Sequence, residues 1–183
     1  MRLAFATGIN GEFANNGSLP WGVPVKEDMN HFVKFCTNKV MVMGYKTWLS
    51  LPEAVQKKYK TLVIFTRKDD TYYNFKGLKF IVENMSQFES FIEFLSQCEE
   101  GLDQKTEYCV IGGAGIVESS LKHLEIFDAV LHTLVDPKEG ELQYTQSISN
   151  SLITRLDTSF KNQYPFFYEN DNFSITVTEY YRN

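Results

Sequence analysis

The arrangement that most constrains what this chain can fold into is an alternation. Short apolar runs at residues 3–7, 40–43, 62–65, 78–82, 108–111 and 129–135 read as strands, and most lead through a turn into a segment with helical spacing. Strands separated by helices form a mostly parallel sheet covered on both faces. The spacing predicts a helix after Pro24, where Met29, Phe32, Val33 and Cys36 recur every three or four residues and Glu27 and Asp28 suit the first turn. It predicts a second from about Ser86, carried by Phe88, Phe91, Ile92 and Leu95, and a third over 116–124. The end of the chain differs. There Phe173, Ile175 and Val177 alternate with polar residues, as in a half-exposed antiparallel strand. Residues 9–18 are rich in Gly and Asn and read as a loop, whereas 144–172 give little pattern. With no repeat or linker in view, 1–183 reads as one α/β domain.

Composition narrows the class. At 43% hydrophobic and 22% charged, the chain fills a core and does not fit a disordered segment. A formal net charge of −5 argues against nucleic acid as partner, but not against a small anionic ligand held by a few local cations. No apolar run reaches membrane-spanning length, and the first is too short for a secretion signal. Cys36, Cys98 and Cys109 are odd in number and contain no CxxC pair, which points away from a disulfide framework or zinc site and towards a reducing cytoplasm. His31, His123 and His132 lack metal-ligand spacing, so no metal is expected, and His132 reads as structural.

Four groups of residues have chemistry in reach. Asp28 and Phe32 are four apart and share a helix face with apolar neighbours. Asp28 is then either a charge favoured at a helix N-terminus or a half-buried acid. Gly112-Gly113-Ala114-Gly115 follows a strand, where backbone amides can approach a phosphate; a plain strand-to-helix turn explains it equally well. Gly44-Tyr45-Lys46-Thr47-Trp48 holds the same strand-end position. Thr66-Arg67-Lys68 is a cationic pair after another strand, either a phosphate clamp or a solvated turn. Ligands of parallel sheets bind beyond the carboxyl ends of the strands, where these groups fall.

Taken in order, Leu19-Pro20-Trp21, Asp28 with Phe32, Val42-Met43-Gly44 with Thr47-Trp48, and Val110-Ile111-Gly112-Gly113 resemble the dihydrofolate reductase family, from the first strand to about Thr133. The resemblance implies an eight-stranded, mostly parallel twisted sheet with an antiparallel C-terminal strand, and NADPH-dependent reduction of 7,8-dihydrofolate to tetrahydrofolate in one-carbon and thymidylate metabolism. It implies that Asp28 hydrogen-bonds the pterin and promotes protonation of N5, that Trp21 positions a water, and that Thr133 supports Asp28. Ala4, Phe5, Ala6, Phe32, Leu51 and Ile111 would line the substrate pocket. Residues 9–19 would form a mobile lid, with Phe13 and Leu19, and also Ala6, near the cofactor. Gly44, Lys46, Thr47, Gly112, Gly113, Ala114, Gly115 and Ile116 would cradle the pyrophosphate, and Thr66 and Arg67 the 2′-phosphate. Antifolates would bind, and the protein would be a monomer or homodimer.

Departures from the family pattern are equally specific. Ala14 stands where a glycine is usual, Val117 where an aromatic hydroxyl is usual, and Tyr45 and Gly115 where basic residues are common. The arginine that grips the folate glutamate is missing after Leu51-Pro52, leaving Lys58 or Lys60 as substitutes without the bidentate fork. These departures keep two alternatives open: a reductase of another pterin or a ribosylated pyrimidine, and an idle folate- or nucleotide-binding structural protein.

Overall fold

The computed structural model describes residues 1–53, 62–66, 78–81 and 107–182, the two short middle segments by their backbone. Lys58, Lys60, Arg67, Lys68, Cys98 and the helix expected from Ser86 lie outside the described residues. In chain order the elements are β1 (Arg2–Gly8), β2 (Glu12–Ala14), α1 (Lys26–Cys36), β3 (Val40–Gly44), α2 (Tyr45–Ser50), β4 (Leu62–Thr66), β5 (Leu78–Ile81) and β6 (Tyr108–Gly112). There follow α3 (Ala114–Lys122), a 3-10 turn at Leu124–Ile126, β7 (Ala129–Pro137), β8 (Gln146–Ser147), α4 (Asn150–Ile153), α5 (Arg155–Ser159), β9 (Asn162–Glu169) and β10 (Phe173–Tyr181).

The fold is α/β with a mixed central sheet in the order β5-β4-β3-β6-β1-β7-β10-β9. Pairings from β5 through to β7 are parallel, and β10 runs antiparallel to both β7 and β9. Side-chain alternation divides the core into two layers. Leu3 and Phe5 of β1 join Val110, Val130 and Tyr180 beneath Val117 and Leu121 of α3. Ala4 joins Met41, Met43, Cys109, Ile111, Leu131 and Val177 beneath Phe35 and Cys36 of α1. Cys36 and Cys109 are buried free thiols with sulfurs 3.2 Å apart. A cavity of about 290 Å³ opens on the first of these faces, lined by Thr7, His132, Asp157 and Tyr180, on the side of the sheet away from Asp28. No helix among the described residues is long and apolar enough to cross a membrane.

Two readings from sequence change. Residues 9–18 are not all loop: β2 pairs antiparallel with β8, matching Glu12 to Ser147 and Ala14 to Gln146. The pairing is invisible locally because its partner comes from the segment without pattern, which folds into β8, α4, α5 and β9. Beyond β2, Asn15 and Ser18 exchange backbone hydrogen bonds of 2.8 and 2.9 Å across Asn16-Gly17, whose φ values of 49° and 85° suit a tight two-residue hairpin. In α1 the fully buried residues are Phe35 and Cys36, whereas Met29, Phe32 and Val33 are only half-buried. The last turn of α1 packs into the core, and the part carrying Asp28 and Phe32 stays half-buried.

Candidate active site

The site begins with β1 and β7. Their parallel register sets Ala6 beside Thr133, so Ala4, Ala6 and Thr133 share one face of the sheet. Small side chains on β1 leave room above them. Thr133 is fully buried, and its hydroxyl donates a 2.6 Å hydrogen bond to Asp28 Oδ1 on α1. That bond selects Asp28, and not Glu27, as the acid facing the sheet. Burial pushes the Asp28 carboxyl above its ordinary value, while the Thr133 hydrogen bond and the charge of His31 pull it back. Trp21 is buried nearby in the same layer, and its indole N–H has no hydrogen-bond partner among the described residues. Leu19, Phe32 and Leu51, all half-buried, pack against that layer, and Ile111 is buried within it.

Alternation sends Phe5 the other way. Its ring lies in the opposite layer, stacked on His132 with centroids 4.6 Å apart, so its backbone alone borders the Asp28 side. His132 is buried there with Thr7, whose Oγ1 lies 2.9 Å from Nε2, and burial lowers its pKa to about 4.

The second part of the site lies where β6 ends. The β3–β6 register slips between Val42 and Met43, pairing Val42 with Val110 and Met43 with Gly112, so Ile111 sits in an irregularity at the strand end. Gly112 has φ +120°, a conformation that suits glycine, and a β-carbon there would stand 3.4 Å from the Phe13 ring and 3.9 Å from Thr47 Oγ1. A β-carbon on Gly113 would stand 3.3 Å from the same hydroxyl, and one on Gly44 would stand 3.4 Å from Ile116 Cδ1. Gly44, Thr47, Gly112, Gly113, Ile116 and Phe13 therefore converge, and the Gly112–Gly113 peptide is cis. Ala114 opens α3, Gly113 caps it without a side-chain hydrogen bond, and Gly115 is exposed. Lys46 is exposed in the first turn of α2. Thr66 ends β4, the strand paired with β3. Among the described residues no group of His, Cys, Asp and Glu side chains is placed to hold a metal ion.

Sequence reasoning missed the buried Glu12, whose carboxylate accepts from the backbone and side-chain N–H groups of Asn10 at 2.8 and 3.0 Å. It also missed the anchoring of His31 by Glu179 and Tyr168. The three-residue step from Asp28 to His31 is visible in the sequence, but both anchors come from the far end of the chain.

Fold and site together define an α/β domain with a half-buried acid bonded to the central sheet and a glycine turn at the end of β6. The family model described as dihydrofolate reductase matches residues 1–178. The chain is 29% identical to dihydrofolate reductase type A10 of Escherichia coli, over 79% of this chain and 71% of that one. It is 28% identical to a dihydrofolate reductase of Enterococcus faecium, over 85% and 86% of the two chains, and 30% identical to one of Mycobacterium leprae, over 65% and 64%. The chain belongs to the dihydrofolate reductase family.

Proposed function

We propose that this protein reduces 7,8-dihydrofolate to tetrahydrofolate with NADPH, using Asp28 as the carboxylate that orients the pterin and promotes protonation at N5. The observation that carries the reading is the Asp28–Thr133 hydrogen bond beneath a half-buried acid whose proton affinity burial has raised. A carboxyl with raised proton affinity gives up a proton less readily than an exposed one and presents hydrogen-bonding oxygens to a pyrimidine edge. The buried Trp21 N–H is a donor for a bridging water or a substrate atom beside that acid. Ala4, Ala6, Phe32, Leu51 and Ile111 supply the apolar walls, and Phe5 contributes through its backbone.

The residues present fit a dinucleotide. Gly112 and Gly113 leave the space that β-carbons would fill against Phe13 and Thr47, and the α3 N-terminus has no side-chain cap. Exposed amides there suit a pyrophosphate, with Thr47 and Lys46 beside it. Phe13, Leu19 and Ala6 would border the nicotinamide, and Thr66 with Arg67 would take the 2′-phosphate, which favours NADPH over NADH. When bound, that cofactor supplies the hydride; the chain supplies orientation, a proton at Asp28 and exclusion of water. Lys58 or Lys60 would meet the folate glutamate with a point charge in place of an arginine fork. The free buried thiols of Cys36 and Cys109 suit a reducing cytoplasm.

The test is loss of reduced-nicotinamide absorbance with purified protein, NADPH and 7,8-dihydrofolate, with NADH in parallel. Loss that requires dihydrofolate and prefers NADPH is the expected result. A folded protein that binds NADPH and leaves dihydrofolate unreduced would overturn the reading. A folate-analogue inhibitor should raise the melting temperature further when NADPH is present, since each ligand stabilises the native state it binds.

A further inference from the structure

Asp28 and His31 stand three residues apart on α1, which brings both side chains to neighbouring places on the helix surface. The imidazole of His31 is engaged at both nitrogens. Nδ1 lies 3.1 Å from Glu179 Oε1 on β10, and Nε2 lies 2.9 Å from the Tyr168 hydroxyl on β9. The other oxygen of Glu179 accepts from the Tyr181 hydroxyl at 2.8 Å, and the ring packs on Phe166 with centroids 4.6 Å apart. An ionised carboxylate only accepts hydrogen bonds, so Nδ1 carries a proton in this geometry. Nε2 then accepts from Tyr168 when the ring is neutral and donates to it when the ring is cationic. The Tyr168 hydroxyl accommodates both states by rotation, so either state of the ring keeps both anchors.

We propose that His31 is a positioning residue for Asp28: clamped by Glu179 and Tyr168, its imidazole is held one helical turn from the carboxylate and sets how tightly that carboxylate keeps its proton. The inference rests on the role given to Asp28 under Proposed function.

Several groups of the neighbouring strands and of α1 surround the pair. Thr133 of β7 is neutral, and burial pushes Tyr181 of β10 up to about 12, so that hydroxyl stays protonated. Burial also drives the Cys36 thiol, packed against Cys109, far above the range where thiols ionise. Glu179 of β10, Glu27 and Lys34 of α1 and the Tyr168 hydroxyl of β9 are the other polar groups around His31. Histidine is the side chain whose charge ordinarily changes in the range where a reductase of this kind works. Burial and the His31 charge act on Asp28 in opposite directions, so the acid's affinity is a balance that His31 tips.

The test is an NMR titration of carbon-13-labelled aspartate carboxyls in the free protein, with the Asp28 signal assigned from Asp28→Asn. His31→Gln keeps hydrogen-bonding groups and removes the charge; His31→Lys makes the charge permanent. The Asp28 midpoint should rise by about half a pH unit or more in His31→Gln and fall by a similar amount in His31→Lys. If His31→Gln does not fold, the fall in His31→Lys decides alone. Midpoints unmoved in the folded variants would overturn the proposal, as would activity lowered equally at every pH. The same displacements should appear in the pH profile of hydride transfer with NADPH and dihydrofolate. Displaced titrations in a protein without dihydrofolate turnover would remove the function and leave the electrostatic link. Turnover with unmoved titrations would remove the link and leave the function.

Discussion

His132 and Thr133 are neighbours on β7 that face opposite sides of one sheet, and the two sides use the same physics to different ends. On each side a titratable group is bonded to a threonine hydroxyl: Asp28 to Thr133 at 2.6 Å, His132 to Thr7 at 2.9 Å. On each side burial favours the neutral form, raising the carboxyl and lowering the imidazole to about 4. The outcomes differ because the surroundings differ. His132 is stacked on Phe5, and burial is the whole cause of its shift, so it stays neutral and holds the packing together. Asp28 is half-buried, and Thr133 and His31 counter its burial. Burial acts alone on His132, whereas on Asp28 it is opposed by a hydroxyl and a neighbouring charge.

Removing the acid should separate the two sides most clearly. Asp28→Asn is expected to cut turnover at neutral pH by about 10²–10⁴-fold, the usual contribution of a positioned acid, with partial recovery in acid where the substrate protonates itself. The same change should raise the melting temperature. The folded-state value of Asp28 lies above its ordinary 3.8, so ionising it disfavours the native state. That penalty is absent below 3.8 and complete once pH has risen through the folded value. Steady-state rates and thermal melts over a pH series would check both effects; unchanged turnover would take the acid's role from Asp28.

On the opposite face the sign reverses. The unfolded chain protonates His132 near its ordinary 6.5, whereas the folded chain resists until about 4, so this residue's contribution to stability is present above 6.5 and lost as pH falls through that window. The loss amounts to about 3 kcal/mol at its limit. Denaturant melts of wild type and His132→Gln should show that the variant lacks this part of the acid slope while its turnover at neutral pH is little changed. The smallest expected effect sharpens the comparison. Thr133→Val removes the hydroxyl that offsets burial, so the Asp28 titration should move to higher pH and turnover should fall by about tenfold, in line with one hydrogen bond to a charged group. An equal fall at all pH values, with the titration unmoved, would make Thr133 a packing residue only.

Much of this was legible before any coordinates. The apolar runs identified β1, β3, β4, β5, β6 and β7 because strands of a parallel sheet read as near-continuous apolar runs. Spacing located α1 and placed Asp28 and Phe32 together on it, and the strand-glycine junctions at Gly44 and Gly112-Gly113 marked the cradle. The β2–β8 pair was illegible because Glu12-Phe13-Ala14 is too short to show a pattern of its own and becomes a strand only when a distant segment supplies hydrogen bonds. The side to which the Phe5 ring turns was not legible, because naming a strand as pocket-lining does not say which of its alternating side chains faces the pocket.

What the sequence determined by itself is the order of elements and the residue types available at each strand end, because apolar periodicity, glycine and the position of charge are local properties. Only the tertiary structure decided which of these met. It set Thr133 rather than another hydroxyl against Asp28, brought Phe13 and Thr47 to the glycines, and closed His31 between Glu179 and Tyr168, 148 and 137 residues away along the chain. Such partners are set by sheet order and register, and these follow from burying both layers of the core at once.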